Sequence, residues 1–134
     1  MAIPQAELAI NGRFLTQATT GVQRVARELT REIDHLVASN QVSARVRLLC
    51  EPGARADDLE LRATSVEAVP GGRGHWWEQI CLPRALGGAR LLCFGNTAPV
   101  ASLLGRRPVG VIIHDLSYRL YPEAYSRAYR LGHA

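Results

Sequence analysis

The stretch from Leu8 to Leu36 constrains the fold most, because an apolar segment, a glycine-containing turn and a long amphipathic helix follow one another directly. Leu8, Ala9, Ile10 and Phe14 predict a buried strand, Leu15 to Gly21 a loop, and Val22 onward a helix. In that helix Val22, Val25, Ala26, Leu29, Ile33, Leu36 and Val37 recur at spacings of three and four, while Arg24, Arg27, Glu28, Arg31 and Glu32 fill the other side. One stripe packs inward and the other is solvated. Thr19 or Thr20 is placed to cap the first turn, since a side-chain oxygen there accepts from an otherwise unpaired backbone N–H. A strand feeding a helix through such a loop directs free N–H groups and the positive end of the helix dipole at one spot, which favours a phosphate or a carboxylate. Gly21 suits close backbone approach to such a ligand, and equally a turn that needs glycine for its own shape. Neither a P-loop nor a dinucleotide-binding glycine pattern occurs.

The 134 residues suffice for one domain with a real core, spanning 1–134, and are too few for two. No apolar run approaches the length of a membrane span and the N-terminus lacks a signal-peptide pattern, so the expected location is cytoplasmic. Cys50, Cys81 and Cys93 are widely spaced in apolar contexts, which suits buried reduced thiols rather than a disulfide framework, and no metal-ligand spacing is present. The net charge of +4 comes from arginine, lysine being absent. These arginines alternate with acids on the first helix and scatter elsewhere, without the basic stripe that nucleic-acid binding uses, so no nucleic acid is expected as a partner. An anionic small molecule or a membrane surface suits such a balance.

Along the chain, Ala44 to Cys50 predicts a second strand ended by Pro52 and Gly53, the segment through Leu61 a loop or ragged turn, and Thr64 to Val69 a third strand. After the break at Pro70 to Gly74, His75 to Leu86 predicts a second helix with Trp76, Ile80 and Trp77 as inward candidates. Pro83 should bend or end it near Leu82. Ala89 to Phe94 is a fourth strand, Pro99 to Leu104 a turn or two of helix, and Val109 to Ile113, apolar on both sides, fits a central parallel strand. Glu123 after Pro122 opens a terminal helix carrying Tyr125, Ala128, Tyr129 and Leu131. Strands alternating with helices predict an α/β fold with an open parallel sheet and right-handed crossovers. Such a sheet binds ligands beyond the carboxyl ends of its strands.

That rule selects the loop from Asn11 to Gly21, the Gly95-Asn96-Thr97 turn and the His114-Asp115 pair, which should converge at one sheet edge. Asn96 and Thr97 can exchange hydrogen bonds with sugar hydroxyls or phosphate oxygens, although a Gly-Asn turn is common for backbone reasons alone, the role favoured here. Two roles fit His114. Its imidazole can meet a hydroxyl or a phosphate charge, or it closes a strand end while Asp115 caps the next segment. His75 beside Trp76 and Trp77 could form a sugar-binding wall, but core and hinge packing is the commoner use of such tryptophans.

Taken in order and spacing, Ile10-Asn11-Gly12-Arg13-Phe14, Thr20-Gly21-Val22-Gln23-Arg24, Trp77-Glu78-Gln79, Leu82-Pro83, Gly95-Asn96-Thr97 and His114-Asp115-Leu116 resemble the N-terminal domain of bacterial GT-B glycosyltransferases. The nearest group is the retaining, nucleotide-sugar-dependent family 4, also described as glycosyltransferase family 1 or mannosyltransferase-like, and the similarity covers nearly the whole chain. The resemblance implies two Rossmann-like domains facing across a cleft. A nucleotide-diphosphate sugar would be held mainly by the C-terminal domain, and a glycan or glycolipid acceptor mainly by the N-terminal one. By position, Thr20, Gly21 and Val22 would approach the donor phosphates or the acceptor. His114 would contact the transferred sugar near its reacting carbon, and Asp115 would orient the histidine or the following loop. Asn11, Arg13, Asn96 and Thr97 fall on the substrate side of the same loops.

No cofactor is expected beyond the donor substrate. The paired glutamates and basic residues of the donor-binding domain lie outside these 134 residues, so the chain alone is expected to be inactive. A separate C-terminal half or a second copy is the expected protein partner, and a glycolipid acceptor would bring peripheral contact with the inner membrane. The alternative is a non-enzymatic α/β interaction module that ignores nucleotide sugars.

Overall fold

In β1 (Ala6–Asn11), the middle strand of the sheet, the alternation of side chains decides what covers each face. Ile10 joins a core with Phe14, Ala26, Val46, Leu48 and Phe94, whereas Ala9 packs on the opposite face with Leu49, Trp77, Leu82, Leu91 and Cys93. By the same alternation Asn11 brings a polar side chain to the second face at the strand's end.

The computed structural model describes residues 4–114. β2 (Ala44–Cys50), β3 (Thr64–Ala68), β4 (Arg90–Cys93) and β5 (Val109–Val111) join β1 in a five-stranded, all-parallel sheet of order β3-β2-β1-β4-β5. This is a Rossmann-like open sheet flanked by helices. α1 (Gly21–Ala38) connects β1 to β2, and α2, the continuous helical segment over residues 74–85, connects β3 to β4. A short α3 (Val100–Leu103) precedes β5. The chain first moves outward from β1 and then crosses back over it, so right-handed crossovers place α1 and α2 on opposite faces. That reversal opens a crevice between the carboxyl ends of β1 and β4.

The buried stripe of α1 is Ala26, Thr30 and Asp34, more polar than its sequence suggests. Val25, expected inward, is 41% exposed because the stripe is centred one residue further on. The carboxylate of Asp34 accepts the backbone N–H groups of Arg62, Ala63 and Thr64 at 2.9, 2.8 and 2.8 Å, pinning the approach to β3. Burial alone would push this carboxyl up, but the donated hydrogen bonds outweigh it and hold the group below its ordinary value of 3.8. A carboxyl with a depressed folded pKa contributes stability that is present above the unfolded value and lost as pH falls through the folded one. Urea unfolding should therefore show an acid loss of stability below about pH 4 that shrinks in Asp34→Asn, which should also cost about 1–3 kcal/mol at neutral pH. An unchanged acid limb in the variant would remove Asp34 as its source.

Four other expectations need correction. The segment from Leu15 to Gly21 is not wholly loop, because a 3-10 turn over Gly12–Thr16 follows β1 and carries the buried Phe14. Of the two outcomes expected at Pro83, a bend or an end near Leu82, the end does not occur, since helical structure continues to Ala85. Ahead of the proline lies a wide π-helical turn over Trp77–Cys81, with the Leu82 N–H on the Trp77 carbonyl, and it shifts the hydrogen-bond register before the missing donor arrives. Trp77 rather than Trp76 faces inward: it is fully buried and its Nε1 donates to the Val69 carbonyl at 2.9 Å, whereas Trp76 is 62% exposed. β5 is an edge strand among the described residues and only half-buried, not central. The expected terminal helix lies outside the described residues. No helix among them is long and apolar enough to cross a membrane.

Candidate functional site

At the carboxyl ends of β1 and β4 a carboxylate has been taken almost completely out of water. Glu78, in the wide turn of α2, is 1% exposed. Its Oε2 accepts from Asn11 Nδ2 at 2.8 Å and from the Thr97 hydroxyl at 3.0 Å, and its Oε1 lies 3.4 Å from an Arg13 guanidinium nitrogen. A buried charge is tolerated only when donors replace its hydration, and here one is charged and two are neutral. The consequence is mechanical as well. One side chain ties together the loop after β1, the loop after β4 and the helix over both.

The local sequence explains the placement. A Cβ on Gly12 would sit 2.5 Å from the Leu49 carbonyl oxygen, so only glycine lets the turn after β1 fold this closely over β2. That turn carries Arg13 back beside Asn11, whose Oδ1 accepts the Arg13 N–H at 3.1 Å. With its oxygen fixed, the Asn11 amide must offer Nδ2 to Glu78, and the same nitrogen lies 3.7 Å from Cys93 Sγ. The Cys93 thiol is pushed up to about 12: burial drives the shift, the Asn11 hydrogen bond opposes it and the Glu78 charge adds to it. It stays protonated and is no nucleophile. Burial, with the charge of Glu67, also raises Cys50, and all three cysteines are buried and unpaired.

His114 is held from the other side of β4. Its backbone N–H donates to Asn96 Oδ1 at 2.6 Å, and its Nε2 lies 2.6 Å from the Phe94 carbonyl oxygen. A carbonyl can only accept, so Nε2 carries the proton and Nδ1 is the ring nitrogen left for a further partner. Asn96 occupies the left-handed region at φ 68°, which asparagine tolerates better than most residues. Asn96 thus positions His114, while Thr97 positions Glu78. Asp115 lies outside the described residues.

The three loops selected from the sequence are therefore linked, through Glu78 and through Asn96. Thr20, Gly21 and Val22 do not enter the cluster directly. The Thr20 N–H donates to Gln23 Oε1 at 3.0 Å, Gln23 Nε2 donates to Gln17 Oε1 at 3.1 Å, and Gln17 lines the cluster beside Arg13. A Cβ on Gly21 would meet nothing within 4 Å and its φ is not positive, so the turn itself does not demand glycine there. The cavity among Asn11, Arg13, Glu78 and Thr97 is about 10 Å³, room for roughly one water. A sugar cannot enter it. The cluster is a packed polar support beneath the loops after β1 and β4.

Sequence reasoning left Glu78 without a role. The available signal was a carboxylate between Trp77 and Ile80 in a largely apolar helix, where an acid needs partners to be buried. Its neighbours also act as tethers: Gln79 Nε2 donates to the Ala98 carbonyl at 3.2 Å, and its Oε1 accepts the Val100 N–H at 2.9 Å. Among the described residues no group of three His, Cys, Asp or Glu side chains could hold a metal ion. No protein-family model, curated protein or solved structure matches the chain.

Proposed function

We propose that this chain is the N-terminal, acceptor-side half of a retaining GT-B glycosyltransferase that moves a sugar from a nucleotide-diphosphate donor to a glycan or glycolipid. One observation carries the proposal. At the point where the strand order reverses, buried Glu78 ties the loops after β1 and β4 into one edge, and His114 is joined to the same β4 loop through Asn96 and Phe94, which leaves Nδ1 as its remaining acceptor. Sugar transfer forms a bond from the anomeric carbon to an acceptor oxygen and breaks the bond to the diphosphate, so it depends on holding the reacting hydroxyl and sugar within a narrow range of positions. In this account His114 Nδ1 accepts a hydrogen bond from a sugar hydroxyl, and Gly21 leaves open backbone at the start of α1 for a phosphate of the donor. The donor-binding half supplies the charge that stabilises the leaving diphosphate.

In the complete enzyme, His114→Ala should lower kcat by roughly 10²-fold or more while leaving thermal stability within a few degrees. Full turnover in that variant would take His114 out of the reaction.

A second account, an interaction module without sugar chemistry, draws on Leu103 and Leu104, which are 55% and 84% exposed. It expects binding to a protein partner and no response to nucleotide sugars. The same patch precedes Arg106 and Arg107, and peripheral contact with an anionic membrane surface would fall there.

A further inference from the structure

β1 borders a second opening, toward β2. Between the carboxyl ends of these strands lies an open cleft of about 370 Å³, within the size range of small-ligand sites. Arg13, Thr16, Gln17, Glu51, Gly53 and Arg73 line it. Glu51 is 4% exposed and its oxygens are committed: one accepts the Thr16 hydroxyl at 2.9 Å, the other the Gly74 N–H at 3.2 Å. Its charge therefore sits against the positive end of α2.

The guanidinium groups are far less well answered. Arg13 reaches Glu78 and His75 only at 3.4 Å each, and its Nε is buried with no hydrogen-bond partner among the described residues. Arg73 is exposed and, like six other arginines, enters no ion pair among them; of those seven it alone lines the cleft. A cleft with one guanidinium held only by long contacts, one outside any ion pair, and a carboxylate whose two oxygens are already engaged by the Thr16 hydroxyl and the Gly74 N–H favours an anion. Guanidinium binds carboxylate and phosphate alike through paired N–H donors.

We infer that this cleft holds the anionic group of the acceptor, a carboxylate or phosphate carried on a sugar, with Thr16 and Gln17 beside its hydroxyls. The inference rests on the acceptor-side reading above and narrows it to acidic acceptors.

The test uses this chain, ¹⁵N-labelled, titrated with methyl glucuronide, methyl glucoside 6-phosphate, neutral methyl glucoside and inorganic phosphate, reading the amides of Thr16, Gly53 and Gly74. One of the two anionic sugars should bind at least about tenfold more tightly than the neutral one, and the tighter of the two identifies the group. Arg73→Gln should remove about tenfold of that affinity with the rest of the spectrum unchanged, and Arg73→Lys should restore part of it. Equal binding of the neutral sugar, no shift at these amides, or inorganic phosphate binding as tightly as the sugar phosphate would each overturn the inference. A completed enzyme that transfers sugar to neutral acceptors, indifferent to Arg73→Gln, would overturn it alone. Preserved anionic-sugar binding with no transfer would instead strike the glycosyltransferase reading and leave the cleft a site for acidic sugars.

Discussion

Glu78→Ala is expected to destabilise the chain by about 3–5 kcal/mol, because it removes one member of a buried polar set and leaves the others without their acceptor. Asn11 Nδ2 and the Thr97 hydroxyl both lose the oxygen they share, and the Arg13 guanidinium loses its carboxylate. Glu78→Gln should cost less, about 1–3 kcal/mol, since a carbonyl oxygen in place of Oε2 still accepts from Asn11 and Thr97 while the new amide faces Arg13. Urea unfolding measures both. The amides of Asn11, Thr97 and His114 should broaden or shift in Glu78→Gln while the strands keep their signals. A loss below about 1 kcal/mol for the alanine variant would mean that water or rearranged donors replace Glu78 readily, and the rigid edge would not exist.

Trp77→Ala should cost a similar 3–5 kcal/mol by a different route. The indole is fully buried in the core with Ala9, Leu49, Leu82 and Leu91, so its removal opens a cavity that the sheet and the wide turn cannot both move to fill. Trp77→Phe should cost less, about 1–3 kcal/mol, as it keeps most of the ring but leaves the Val69 carbonyl without its indole donor. Trp76→Ala, one residue away at an exposed position, should stay within about 0.5 kcal/mol. Reversed sensitivities in thermal unfolding would show that the helix packs by its other face.

These two residues mark where the sequence was legible and where it was not. The strands could be read from short apolar runs, and β2 spans Ala44–Cys50 as its alternation predicts. Alternating strands and helices were enough for a parallel sheet, and the carboxyl-end rule was enough to choose loops that prove to be linked. What failed was phase within helices. A period of 3.6 sets Trp76 and Trp77 about 100° apart, and the sequence alone does not say which of the two is buried; it is Trp77, at the start of the π-helical turn. Buried polar side chains were missed for a related reason: Asp34 and Glu78 look like solvated acids until their partners, distant in sequence, are known. Val109 to Ile113 read as central because apolar content alone does not distinguish burial on two faces from a strand at the edge of the described sheet.

The central claim is that an acceptor sugar meets this chain at the carboxyl ends of β1 and β4, and amide shift mapping of the isolated chain with a panel of mono- and oligosaccharide acceptors tests it most directly. The account predicts saturable shifts gathered at Gly95, Thr97 and His114, weakened about tenfold or more by Asn11→Ala, which unseats the Glu78 edge. Saturable binding that leaves Gly95, Thr97 and His114 unmoved, or that ignores Asn11→Ala, would contradict it.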